Sequence, residues 1–301
     1  MTQIQPRLLQ QGDTVAIVST ARKISHEEIQ PAIDLLKSWG LIPKIGKTIG
    51  KEYHQFSGTD IDRAEDFQDM LDDETVQAIW CARGGYGTVR IIDLLNFEQF
   101  KLHPKWIIGY SDVTALHLHV HNFGIRSIHA TMPINISSNS TEAITSLKEV
   151  LFNGTYTLSF EGRKQNRQGN TNTQGIIIGG NLSIIYSMLG SNTSVDTTNK
   201  ILFIEDLDEY LYHIDRMLMN MKRNGYFEKL RALVVGGMTD MHDNSIPFGK
   251  NVEAIILDIL SEYDFPIYFN YPAGHIKNNT AIIFGSQGTI NSSKNMVSLS
   301  F

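Results

Sequence analysis

The sequence predicts an α/β protein: an N-terminal doubly wound parallel-sheet domain, then a C-terminal α/β domain with a mixed sheet. Three observations predict it. Short, continuous apolar runs alternate with helical patterns, as strands buried on both faces of a parallel sheet do. A polar, Gly/Asn/Gln-rich stretch over residues 151–173 interrupts that alternation. The chain, at 301 residues, is about twice the length of a common single domain.

Residues 14–19 (TVAIVS) form the first buried-type strand. A helix over about 27–40 follows; Ser25 and Glu28 have capping-box spacing, and Gly40 is a stop. Next come a strand at 42–45, a helix at 60–72, a strand at 78–81, a glycine loop at 84–87 and a helix at 89–95. A strand at 106–109 runs into a helix at 112–123. The first domain is expected over 1–150 and a connection or extended hairpin edge over 151–174. Beyond it, 175–301 reads as an apolar run, a helix at 181–188, a strand at 201–204 and a helix at 210–224. A strand at 232–236, a helix at 252–263 and strands near 267–269 and 281–285 complete it.

Composition excludes several classes. The net charge of −6 and the absence of a Lys/Arg run speak against a nucleic-acid binder. Cys81 is the only cysteine, so no intrachain disulfide forms, which fits a reducing compartment. The N-terminus lacks a basic segment followed by a long apolar one, and no run approaches the length of a transmembrane helix. The expectation is a soluble, cytoplasmic chain with no membrane partner.

Four segments carry chemistry-bearing residues. Ile107-Ile108-Gly109-Tyr110-Ser111-Asp112 puts a serine between a strand end and a helix start. A nucleophile elbow has that form, with the Asp112 N–H as an oxyanion donor, although the second glycine of the usual hydrolase motif is missing. A simple helix cap has the same form. Arg83-Gly84-Gly85-Tyr86-Gly87 lets backbone N–H groups approach a ligand, with Gly85 the candidate second oxyanion donor; a tight βα turn uses glycines too. Glu205-Asp206 ends an apolar strand, and Gly274-His275 lies in a loop bounded by Pro and Gly. His117, His119 and His121 do not share one helix face and have no Cys or carboxylate at ligand spacing, so they read as packing residues and no metal is expected.

Taken in order, these segments resemble the LD-carboxypeptidase family of serine peptidases, which includes murein tetrapeptide carboxypeptidases and microcin C immunity peptidases. The resemblance also draws on Gly12-Asp13-Thr14, Val113-Thr114-Ala115-Leu116, Gly179-Gly180-Asn181-Leu182, Glu209, Tyr212 and Ile214-Asp215-Arg216. It implies a triad of Ser111, Glu205 and His275, a homodimer and no cofactor. It also implies a serine carboxypeptidase that removes the terminal D-alanine of a murein tetrapeptide through an acyl-enzyme during peptidoglycan recycling. Arg83 and Arg216 are then available to pair with substrate carboxylates. The sequence departs from the family pattern at Ser19-Thr20-Ala21-Arg22-Lys23, at His129-Ala130-Thr131-Met132 and between residues 278 and 285.

Two other functions remain in view. One is a microcin-immunity amidase acting on aminoacyl-nucleotide conjugates, against which 191–200 counts because it holds no aromatic. The other is a non-catalytic binding protein on the same scaffold.

Overall fold

In the computed structural model, which describes residues 3–162, 172–293 and 296–301, the apolar runs assemble into two sheets. Within the polar stretch between the predicted domains, 163–171 lies outside the described residues. The first sheet holds β1 (Thr14–Val18), β2 (Ile42–Ile45), β3 (Val76–Cys81), β4 (Trp106–Gly109), β5 (Ser127–His129) and, from far down the chain, β11 (Ile282–Phe284). The second holds β6 (Thr157–Glu161), β7 (Asn172–Asn181), β8 (Lys200–Leu207), β9 (Ala232–Thr239), β10 (Ile267–Phe269), β12 (Gln287–Ser293) and β13 (Met296–Ser300).

The helices are α1 (His26–Ser38), α2 (Asp60–Asp72), α3 (Thr88–Ile91), α4 (Glu98–Leu102), α5 (Thr114–Asn122), α6 (Thr141–Asn153), α7 (Leu182–Ser187), α8 (Leu211–Arg223) and α9 (Val252–Ile259). The predicted capping box starts α1: Ser25 accepts from the Glu28 N–H and Glu28 from the Ser25 N–H. No helix among the described residues is long and apolar enough to cross a membrane.

The first sheet runs β11-β5-β4-β3-β1-β2, parallel except where β11 meets β5. Its first strand thus has β2 on one side and β3 on the other, so the winding direction reverses between β1 and β3. At such a switch point the carboxyl ends of the strands open a crevice. The second sheet is mixed, as predicted: β7 to β10 are parallel, while β12, β13 and β6 add antiparallel strands.

The elements differ from expectation in instructive places. The 151–174 connection is not all connection: α6 continues to Asn153, and β6 is an edge strand of the second sheet. The late strand at 282–284 crosses back to the first sheet, where its Ile-Ile-Phe run finds β5 as partner. The apolar side of α5 (Leu116, Leu118) lies in one buried cluster with Ile178, Leu202 and Ile204 of the second sheet. The two sheets therefore share a core.

Candidate active site

The turn after β4 carries the first functional side chain. Ser111 has φ 62°, a left-handed conformation that costs a non-glycine residue about 1–3 kcal/mol. Neither the single 3-10 turn at Ser111–Val113 nor α5 behind it has a side-chain cap, so the capping alternative for Ser111 finds no support. His117 of α5 braces the turn: Nε2 lies 2.9 Å from the Gly109 carbonyl and Nδ1 lies 2.9 Å from Ser127 Oγ. A carbonyl only accepts, so Nε2 carries the proton and Nδ1 accepts from the hydroxyl. Burial holds this ring neutral, with its pKa pushed down to about 3.

Glu205, fully buried near the end of β8, meets His275 from the loop after β10. Its Oε2 lies 2.6 Å from His275 Nδ1 and also accepts the His275 backbone N–H at 3.1 Å. That approach depends on Gly274, which has φ 106°; a Cβ there would stand 2.7 Å from Glu205 Oε2. Asn279 Oδ1 pins the loop by accepting the Gly274 N–H at 2.7 Å. Burial raises Glu205, but the facing imidazole more than offsets it and holds the carboxyl below its ordinary value. For His275, burial disfavours the imidazolium, yet the Glu205 carboxylate wins and the pKa is raised. With Nδ1–H committed to Glu205, Nε2 is left as the basic atom.

Ser111 and His275 line one cavity of about 540 Å³ together with Arg83, Gly84, Gly85 and Asp112. Gly84 keeps the space over the serine clear, because a Cβ there would stand 3.0 Å from Ser111 Oγ and 3.4 Å from the Asp112 nitrogen. The loops around it are laced together. Asp112 Oδ2 accepts the Thr88 N–H at 2.8 Å, and Thr88 and Thr20 share a 2.8 Å hydroxyl contact. Buried Arg63 donates to the carbonyls of Thr20 and, at 2.9 Å, Gly87.

Of the two predicted carboxylate-binding arginines, only Arg83 faces this cavity, with Nη1 3.1 Å from the Lys23 carbonyl. Arg216 does not: it is exposed on α8 with its guanidinium 5.5 Å from the Tyr212 ring centroid. The cavity adds residues for which the motifs suggest no role, notably Arg22, Tyr110, Asn181 and Asp208. Tyr110 packs its ring 4.8 Å from His275. Asp206, the second acid of the predicted pair, is a structural bracket. It accepts from Asn181 Nδ2, the Ser183 N–H and the Leu207 N–H, each at 2.9 Å. Burial and the neighbouring Glu205 nevertheless push it up to about 7.

Segment 191–200 does not line the cavity that holds Ser111 and His275. Asn122 bonds the Asn192 and Ser194 carbonyls, and His119 bonds Thr193, so its lack of aromatics says nothing about substrate. Among the described residues, no three His, Cys, Asp or Glu side chains are grouped to hold a metal. A second cavity of about 480 Å³ behind the His275 loop, walled by Val235, Met238 and Phe269, contains no triad member.

Residues 15–130 match the LD-carboxypeptidase N-terminal domain, and residues 174–290 match the LD-carboxypeptidase C-terminal domain. The probable murein peptide carboxypeptidase of Bacillus subtilis is 31% identical over 96% of this chain and 92% of its own. The microcin C7 self-immunity protein of Escherichia coli is 26% identical over 75% of each. The crystal structure of muramoyltetrapeptide carboxypeptidase from Oxalobacter formigenes superposes with a TM-score of 0.86 at 24% identity. It covers 95% of this chain and 98% of its own, a likeness of fold.

Proposed function

The chain belongs to the LD-carboxypeptidase family, a family of hydrolases, and from that premise we propose that it is a serine carboxypeptidase acting on murein tetrapeptides. The bond cut joins the L-centre of the diamino acid to the terminal D-alanine. One observation carries this reading: the buried Glu205–His275 pair opens onto the same cavity as a serine held on a left-handed turn.

In the first step His275 Nε2 takes the Ser111 hydroxyl proton as Oγ attacks the scissile carbonyl. The N–H groups of Asp112 and Gly85 hold the oxyanion that forms. Glu205 keeps the imidazole in the productive tautomer and stabilises the imidazolium. His275 then gives its proton to the departing amine of D-alanine. Water, deprotonated by His275, attacks the acyl-serine carbon, and the serine leaves with that proton. Arg83 stands at the cavity wall where a substrate carboxylate would pair. Recycling of wall peptides would place the enzyme in the cytoplasm, and a homodimer is the assembly that the resemblance implies.

The test is mass spectrometry of an L-Ala-D-Glu-diamino acid-D-Ala tetrapeptide incubated with wild type and with Ser111→Ala. Wild type alone should release D-alanine. Release by both proteins would remove Ser111 as nucleophile. Release by neither would remove the murein assignment.

A second reading, an amidase of the microcin-immunity kind, is favoured by Tyr86. Its ring is exposed at this cavity and available to stack on a nucleotide base. Cleavage of an aminoacyl-nucleotide amide with no action on the tetrapeptide would select it. Retained peptide binding without turnover by either route would instead select a binding protein.

A further inference from the structure

We infer that Arg22 reads the free α-carboxylate of the substrate's terminal residue, and so makes the site exo-acting; the inference rests on the carboxypeptidase reading of the site. Topology brings the residue there. Arg22 follows β1 and Gly84-Gly85 follow β3, and these neighbouring strands flank the switch point, so their loops face each other across its crevice.

The backbone of Arg22 is fixed from both sides. Ser19 Oγ donates to the Arg22 carbonyl at 2.7 Å, and the Lys23 N–H donates to Gln55 at 2.9 Å. Its side chain lies across the glycine loop: a Cβ on Gly85 would stand 2.5 Å from Arg22 Cδ and 3.1 Å from Nε. One residue earlier, a Cβ on Gly84 would stand 3.0 Å from Ser111 Oγ. Arg22 and the nucleophile therefore lie against neighbouring residues, one step apart on the glycine loop, and both line the cavity. A peptide acid has the same step between its last scissile carbonyl and its carboxylate. With that carbonyl at Ser111, the carboxylate would lie in the adjoining part of the cavity, which Gly85 and Arg22 line.

Charge points the same way. Among the described residues Arg22 has no carboxylate partner, whereas Lys23 is paired with Glu52 at 2.8 Å and Arg90 with Asp60 at 2.6 Å. The cavity's acids are engaged elsewhere: Asp208 with His242 at 2.6 Å and Glu209 with His213 at 2.8 Å. A planar guanidinium with both prongs open is matched to a carboxylate, which it holds by two parallel N–H bonds.

The test compares the tetrapeptide acid with its C-terminal amide in wild type, Arg22→Gln and Arg22→Lys. Wild type should favour the acid in kcat/KM by about 10–100-fold, the span of a charge-assisted pair. Arg22→Gln should bring the acid down to the amide's level, and Arg22→Lys should retain part of the preference. All three should melt alike, since the side chain is exposed. An equal fall for acid and amide, or no fall for the acid, overturns the inference.

A second arm needs no turnover: binding of N-acetyl-D-alanine to Ser111→Ala, by NMR titration, with and without Arg22→Gln. Binding weakened about tenfold or more by the second change supports Arg22 even if the tetrapeptide is not the substrate. Absent or unaltered binding overturns it.

Discussion

Glu205 and His275 carry opposite shifts, and the signs fix how the site responds to pH. Glu205 is held below the ordinary 4.5, so its stabilising contribution is present above that value and is lost as pH falls through the lower one. His275 is held above the ordinary 6.5, so its contribution is full below 6.5 and is lost as pH rises through the raised value. Catalysis needs the neutral imidazole, so kcat/KM should fall on acidification at a pH above 6.5. In Glu205→Gln the carboxylate no longer opposes burial, and that acid limb should move below 6.5. The same change should lower kcat by about 10⁴-fold, the scale seen when a triad carboxylate is neutralised. A pH–rate profile of both proteins checks this; an unmoved limb would mean that some other group titrates. Ser111 shows where motif reading stops at this scale. Gly-x-Ser before a helix fits both a cap and an elbow, and the backbone angle that separates them is set by packing of the whole turn, including the His117 bond to Gly109.

Between elements, a short chain of hydrogen bonds ties the nucleophile helix to the strand that bears the acid. Thr114 Oγ1, in the first turn of α5, accepts the Asn181 N–H at 3.0 Å, and Asn181 Nδ2 donates to Asp206 beside Glu205. Thr114→Val would leave a buried N–H unpaired, at about 1–3 kcal/mol. The expected result is a midpoint lowered by several degrees together with a fall in kcat, while Thr114→Ser keeps both. Calorimetry and steady-state kinetics on the two variants decide it; a kcat unchanged in Thr114→Val would show that the bracket serves stability alone. Most elements along this path are legible as sequence, because long apolar runs and capped amphipathic helices announce themselves locally. Some unread elements lack that signal: β5 has three residues, and β12 (QGTINSS), though paired on both sides, is rich in polar groups. Arg22 was illegible for a different reason. It lies in a segment that departs from the family pattern, so no motif marks it, and only the strand order places the loop after β1 beside the glycines after β3. Arg216 illustrates the converse, since a residue inside a matching motif can still face away from the cavity.

At the scale of the whole molecule, the triad is divided: Ser111 belongs to the first sheet's layer, while Glu205 and His275 come from the second. A divided site is only as rigid as the joint between its halves, and here that joint is a core rather than a hinge. Leu116 and Val113 share their cluster with Ile178 and Leu202, and β11 leaves the later half of the chain to close the edge of β5. Along the chain, a boundary near residue 150 coincides with the change from one sheet to the other, and the shared cluster leads to the prediction that the two parts unfold together. The full chain should unfold in one calorimetric transition. Residues 1–150 expressed separately should lack β11, expose half of the shared cluster and bind a hydrophobic dye without a cooperative melt. Two resolved transitions in the intact protein, or a sharp melt of the fragment near the intact temperature, would mean that the joint can open. In that case the alignment of Ser111 with His275 would have to be secured by substrate rather than by the fold.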